Sequence, residues 1–81
     1  MRLEHTLQIR RELQKFPREI REDFYKQAEF LSNNIRHPSL RAKKYDEARD
    51  IWQARVTSNV RFYFRIQGNT YLLLSIRKHP K

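Results

Sequence analysis

The stretch that decides the fold is 51–78, IWQARVTSNVRFYFRIQGNTYLLLSIRK. Its apolar residues recur at every second position, the period of a strand with one buried face. Two turn signals divide it. Thr57-Ser58-Asn59 closes a first run over 51–56, and Gly68-Asn69 is a tight hairpin pair closing a second over 60–67. A third run covers 70–78. The pattern predicts a three-strand antiparallel meander. Val60, Phe62, Phe64 and Ile66 form the core face of its middle strand, flanked by Trp52, Ala54 and Val56 on the first strand. Leu72, Leu74 and Ile76 are the expected inward residues of the third. The alternate residues, among them Arg55, Arg61, Tyr63, Arg65, Tyr71 and Arg77, then point the other way.

Upstream of the meander the period changes. Ile20, Phe24, Ala28, Leu31 and Ile35 recur at spacings of four and three, one apolar stripe on a helix of about 17 residues. Pro17 suits its first turn, Glu19, Glu22 and Asp23 suit the positive end of its dipole, and Pro38 bars continuation. A shorter helix is expected from about Thr6 to Lys15, with Thr6 as its cap and Leu7, Arg10, Arg11 and Leu13 near helical spacing. Residues 1–5 read as an opening strand. Residues 36–50, RHPSLRAKKYDEARD, read as a long basic linker with room for one helical turn. The order is strand, helix, helix and meander, which predicts an α+β fold with the helices packed on one face of an antiparallel sheet. Phe24, Leu31, Trp52, Phe62 and Phe64 are the expected core.

The chain has 81 residues, enough for one small domain over 1–81. It contains no Cys, which fits a reducing cytoplasm and excludes thiolate chemistry. No apolar run approaches the roughly 20 residues of a membrane span, and MRLEHTLQIRREL lacks the apolar core of a signal peptide. Lys and Arg number 18 against nine Asp and Glu, a formal net charge of +9. The excess is concentrated at one end, because residues 51–81 hold six basic residues and no acidic one. A field of that sign and strength points to nucleic acid.

If helices cover one sheet face, the other displays Arg55, Arg61, Arg65 and Arg77 close together. Adjacent strands lie about 5 Å apart, so like charges in such positions are costly unless an anion sits among them. The planar guanidinium fork matches phosphate. Tyr63 and Tyr71 offer rings to unstacked bases, the pattern of single-stranded RNA recognition. His5, His37 and His79 are scattered and form a poor zinc site, and 51–81 has no carboxylate pair for magnesium. No cofactor or metal is expected. The chemistry left to such a face is attack by an RNA 2′-hydroxyl on its own phosphate. Arginines would stabilise the added charge, and a His or Lys would move protons. His79 follows Arg77 and Lys78 directly.

These residues, in this order, resemble the RelE/ParE superfamily of toxins from bacterial toxin–antitoxin systems, with a pattern nearest the RelE/YoeB-like mRNA interferases. The resemblance runs over nearly the whole chain. Its strongest part is Trp52, Arg55 and Val56 followed by Arg61 in an aromatic strand, and the ending Ile76-Arg77-Lys78-His79 resembles the close of YoeB-like members. It implies a ribosome-dependent endoribonuclease, neutralised by an acidic antitoxin in a hetero-oligomeric complex. By position it implies that Arg61 holds the scissile phosphate and that Arg55 and Arg77 share the catalytic face, with His79 transferring protons. Arg41, Lys43, Lys44, Tyr63 and Arg65 would contact RNA. The sequence departs from the family at two places. YoeB-like members carry a glutamate where alignment through Trp52 puts Ala42, leaving Glu47, nearer the strand, as a poor substitute base. They often carry a tyrosine where this chain has Pro80. A gyrase-directed ParE-like toxin and a non-catalytic basic RNA-binding module therefore stand as alternatives.

Overall fold

The computed structural model describes residues 1–79; Pro80, one of the two departures, lies outside them. Strand β1 (Arg2–His5) leads into helix α1 (Leu7–Leu13) and helix α2 (Arg18–Asn33). A single 3-10 turn, Pro38–Leu40, precedes β2 (Lys43–Asp46), and then come β3 (Ile51–Thr57), β4 (Val60–Gln67) and β5 (Thr70–Lys78). The five strands make one sheet in the order β1-β5-β4-β3-β2. All pairs are antiparallel except β1 with β5, which run parallel. The expected α+β architecture is present, with the meander at its centre and Gly68 at φ +58° in the β4–β5 turn.

The helices begin where local chemistry allows. The Thr6 hydroxyl accepts a hydrogen bond from Ile9 N–H at 3.1 Å, satisfying one orphan donor of α1. Pro17 stands at the cap of α2, one position ahead of its first turn. Ile9 and Leu13 are the buried residues of α1, whereas Leu7, expected on its apolar side, is exposed. In α2 the expected stripe holds as far as Leu31: Phe24, Ala28 and Leu31 are buried and Ile20 packs against them, whereas Ile35, expected as the last residue of the stripe, lies beyond the helix end at Asn33 and joins the core margin from the following turn.

The core is aromatic. Phe24 meets Phe62 edge-on with centroids 5.3 Å apart, Phe62 lies 5.8 Å from Phe64, and Phe64 meets Tyr71 edge-on at 5.6 Å. Phe24, Leu31, Phe62 and Phe64 have no exposed surface. Trp52 differs from expectation. It stacks on Phe64 at 6.2 Å but is only half-buried, because it lies toward the sheet margin beside Ala42, Pro38 and Ile35.

Two further expectations are corrected. First, the linker contains a strand. Its residues, Lys-Lys-Tyr-Asp, carry no apolar alternation, because an edge strand exposed to water is kept charged. Second, β5 faces the opposite way over its first half. Leu73 pairs with Phe64 and Ser75 with Tyr63, so Leu74 is an extra residue in the ladder. A one-residue bulge reverses the facing of everything on one side of it. Tyr71 and Leu73 are therefore buried, and Leu72 and Leu74 lie on the outward face; Ile76 remains inward and Arg77 outward. Tyr71, expected as a base-stacking ring, is 5% exposed and belongs to the core.

The second half of β5 lies beyond the end of β1, and α1 covers it. Thr6 N–H donates to Leu73 O, the Thr6 hydroxyl donates to Leu74 O at 3.0 Å, and Ile76 N–H donates to the Glu12 carboxylate at 3.1 Å. The helix thus satisfies backbone groups that a sheet edge would leave open.

Candidate nucleic-acid interface

The outward sheet face is built on strand register. Arg55 of β3 pairs with Arg61 of β4, and Arg61 pairs with Arg77 of β5. Three guanidinium groups thus rise from directly opposed positions on neighbouring strands. Like charges so placed are destabilising. Of the four ion pairs among the described residues, only one touches this row, Glu12 to Arg77 at 3.9 Å. Arg41, held at φ +46° after the 3-10 turn, adds its charge beside Arg61.

Each arginine of the row is held differently. Arg61 is half-buried, and its Nη1 donates to three carbonyls of the β3–β4 turn: Thr57 at 2.6 Å, Val60 at 3.1 Å and Ser58 at 3.3 Å. One side of its fork is anchored to backbone while the other keeps its donors. Burial, and then the neighbouring Arg55, lowers its pKa from the usual guanidinium value. Arg77 Nε donates to the Ser75 hydroxyl at 2.9 Å, which with Glu12 sets the direction of the side chain. Arg55 is positioned through its backbone. Buried Gln27 of α2 donates to Arg55 O at 2.9 Å and Ser39 O at 3.1 Å, and accepts from the Ser39 hydroxyl. That one amide ties α2, the turn leading to Arg41, and the strand carrying Arg55.

Beside the row on the same face, Tyr63 pairs with Gln53 and Ser75, and Lys43 pairs with Gln53. Burial, with the neighbouring Tyr45 adding to it, raises the Tyr63 phenol above its ordinary pKa. Tyr45 meets the Tyr63 ring edge-on, with centroids 4.9 Å apart. Arg65 lies farther along β4, and its Nε donates to Arg49 O at 3.0 Å.

Lys44 and Glu47 separate from this group, and His79 stands at its edge, on the turn whose carbonyls hold Arg61. Lys44 lies on the opposite face from Lys43: it pairs with Trp52, holds Nζ 5.0 Å from that ring's centre, and forms an ion pair with Asp50. Glu47 is in the β2–β3 turn, at the other end of β3 from Arg55. Four residues of strand, about 13 Å, separate that end from the row. His79 donates its backbone N–H to Asn59 O, and its groove is formed with Ile20, Thr57, Asn59, Val60 and Lys78, none of them an arginine. Among the described residues no three His, Cys, Asp or Glu side chains gather as metal ligands do.

Three residues that shape this site, Glu12, Gln27 and Tyr45, do not stand out in the sequence. Glu12 and Gln27 act through tertiary contacts that leave no local signal. Tyr45 sat in a segment read as linker, and its clue was a lone aromatic among charges.

No protein-family model and no curated protein sequence matches the chain. Solved structures do. The YoeB/ParE toxin from Agrobacterium tumefaciens superposes with a TM-score of 0.81 at 17% identity, over 99% of this chain and 100% of that one. The archaeal RelE–RelB complex from Pyrococcus horikoshii gives 0.82 at 15%, over 99% and 96%. The toxin–antitoxin complex RelBE2 from Mycobacterium tuberculosis gives 0.77 at 24%, over 98% and 96%. The chain has the fold of the RelE/YoeB/ParE toxins.

Proposed function

We propose that this chain is the toxin of a type II toxin–antitoxin pair, acting in the cytoplasm, and that it cleaves mRNA on the ribosome. The observation that carries this reading is the Arg55–Arg61–Arg77 row, like charges held in register on the sheet face opposite the aromatic core. Such an arrangement opposes folding locally; the carbonyls on Arg61 and the Glu12–Arg77 pair offset part of the cost, and an anion among the three groups would offset more. The geometry suits a phosphodiester. In the reaction, the RNA 2′-oxygen bonds to phosphorus as the bond to the 5′-oxygen breaks, leaving a 2′,3′-cyclic phosphate and a 5′-hydroxyl. One proton leaves the attacking hydroxyl and one reaches the departing oxygen. The row's share is to stabilise the charge that builds on the phosphoryl oxygens, the free side of the Arg61 fork above all.

The fold neighbours that are solved with RelB support an antitoxin partner. An acidic segment laid over the same face would neutralise it, and opposite charge would speed the encounter at low salt. Mapping mRNA ends after brief expression in bacteria tests the reading. Cuts within translated codons are expected. Intact mRNA together with gyrase-linked DNA breaks would overturn it in favour of a ParE-like poison.

A further inference from the structure

The outward face continues from the arginine row into a shallow hollow toward the β2 edge. Tyr45, Tyr63, Arg49, Arg65, Arg77 and Leu74 line it, and no carboxylate does. Tyr45 is the unexplained residue. The residue is 60% exposed although a ring gains from burial. Lys44 pairs with Trp52 and Asp46 with Ile51, so Tyr45 is the extra residue at a register shift. Bulges re-aim side chains, and this one aims Tyr45 over the hollow, edge-on to Tyr63. The fold gains little from that placement.

The cations around the two rings are held in place. Arg65 is fixed by the Arg49 carbonyl and Arg77 by the Ser75 hydroxyl. Arg77 belongs to both the row and the hollow. A nucleotide whose phosphate rests on the row therefore has its base beside Tyr45 and Tyr63. Stacking on an aromatic ring with guanidinium donors at the margin is how unpaired bases are held. An acidic peptide would also be drawn to the arginines, but it has no use for an exposed ring at the bulge.

We propose that this hollow is a nucleobase subsite, in which Tyr45 and Tyr63 receive one unstacked base of single-stranded RNA next to the phosphate on the arginine row. The identity of the occupant rests on the RNA-directed reading above.

The test uses the intact chain and a short 2′-O-methylated RNA, which cannot be cleaved. One version carries 2-aminopurine at a single position and the other is abasic there. The base-containing RNA should bind about tenfold more tightly, within the range for one aromatic–base stack, and its fluorescence should be quenched. Tyr45→Ala should remove the quenching and bring both RNAs to one affinity, whereas Tyr45→Phe should keep the difference. Arg61→Ala should weaken both RNAs alike. Equal binding of the two RNAs by the parent chain, or an undiminished difference in Tyr45→Ala, overturns the subsite. So does a poly-glutamate peptide whose binding depends on Tyr45 while RNA binding does not. Because the methylated RNA reports stacking without cleavage, intact cellular mRNA would overturn the nuclease reading and leave this result standing.

Discussion

The two faces of the central sheet come from the same strands and obey opposite rules. On the inward face, Phe62, Phe64, Tyr71 and Leu73 meet Phe24 and Leu31, and every ring finds another ring. On the outward face, alternate residues of the same strands place Arg55, Arg61 and Arg77 against one another. One face is satisfied by the fold and the other is left frustrated by it. Local conflict of this kind, in a chain otherwise consistent at every level, marks the part that serves something outside the fold.

Mutations should separate the two faces. The largest effect belongs to the inward one. Phe62→Ala should cost about 3–5 kcal/mol, as large-to-small changes in a close-packed core do, and that is much of the stability of a small domain. Urea unfolding measures it, and a midpoint like the parent's would show that the ring is not the keystone its contacts indicate. Arg61→Ala should do the reverse. Cleavage should fall about 10²–10³-fold, the scale for losing one preorganised donor at a charged transition state. The melting temperature should drop only slightly, from loosening the β3–β4 turn. Single-turnover cleavage on programmed ribosomes gives the comparison, and parental activity in a folded variant would dissociate the row from catalysis.

The boundary between the faces predicts a smaller effect. Glu12→Ala leaves the Ile76 N–H without its acceptor and should cost about 1–3 kcal/mol, the penalty of an unsatisfied buried donor. Glu12→Gln keeps an acceptor oxygen there and should cost much less. Equal losses in the two variants would show that the carboxylate's charge, rather than the hydrogen bond to β5, matters.

His79 stands at the end of β5, past the last arginine of the row. Its groove holds Ile20 and Val60 rather than the arginines. His79→Gln should therefore slow single-turnover cleavage far less than the 10²–10⁴-fold that general acid–base help supplies. A loss of that size would place the imidazole in the reaction after all.

The smallest effect concerns pH. His5 packs edge-on to Phe24, and burial, with Arg10 adding repulsion, lowers its pKa below 6.5. Between that folded pKa and 6.5 the unfolded chain binds more protons, so stability rises with pH. The contribution is present above 6.5 and is lost as pH falls through the window. Replacing His5 by Leu should flatten that part of the stability profile, and an unchanged slope would assign it to other groups.

The three strands of 51–78, the alternation of β4, the stripe from Ile20 to Leu31 and the Thr6 cap were legible in the sequence, because each depends on neighbours one to four residues away. So were the outward positions of Arg55, Arg61 and Arg77, since the register shifts, at Val56 and at Leu74, fall beside these positions and leave the pairs Arg55–Arg61 and Arg61–Arg77 directly opposed. The bulge at Leu74 was not legible. Nothing in Tyr-Leu-Leu-Leu-Ser says which leucine is extra, and only pairing with β4 decides it; Tyr71 is core for that reason alone. The strand within Lys-Lys-Tyr-Asp and the split between Lys43 and Lys44 likewise required β3 alongside. Glu12 on β5, Gln27 on Arg55 and Tyr45 over Tyr63 join residues far apart in the chain, and such meetings exist only once the sheet has set its register. Local periodicity encodes that each strand has an apolar and a charged side. Which residues of β5 take each side, and which charges and rings share a surface, follow only from strand pairing, because a bulge reverses the facing and periodicity does not reveal where it falls.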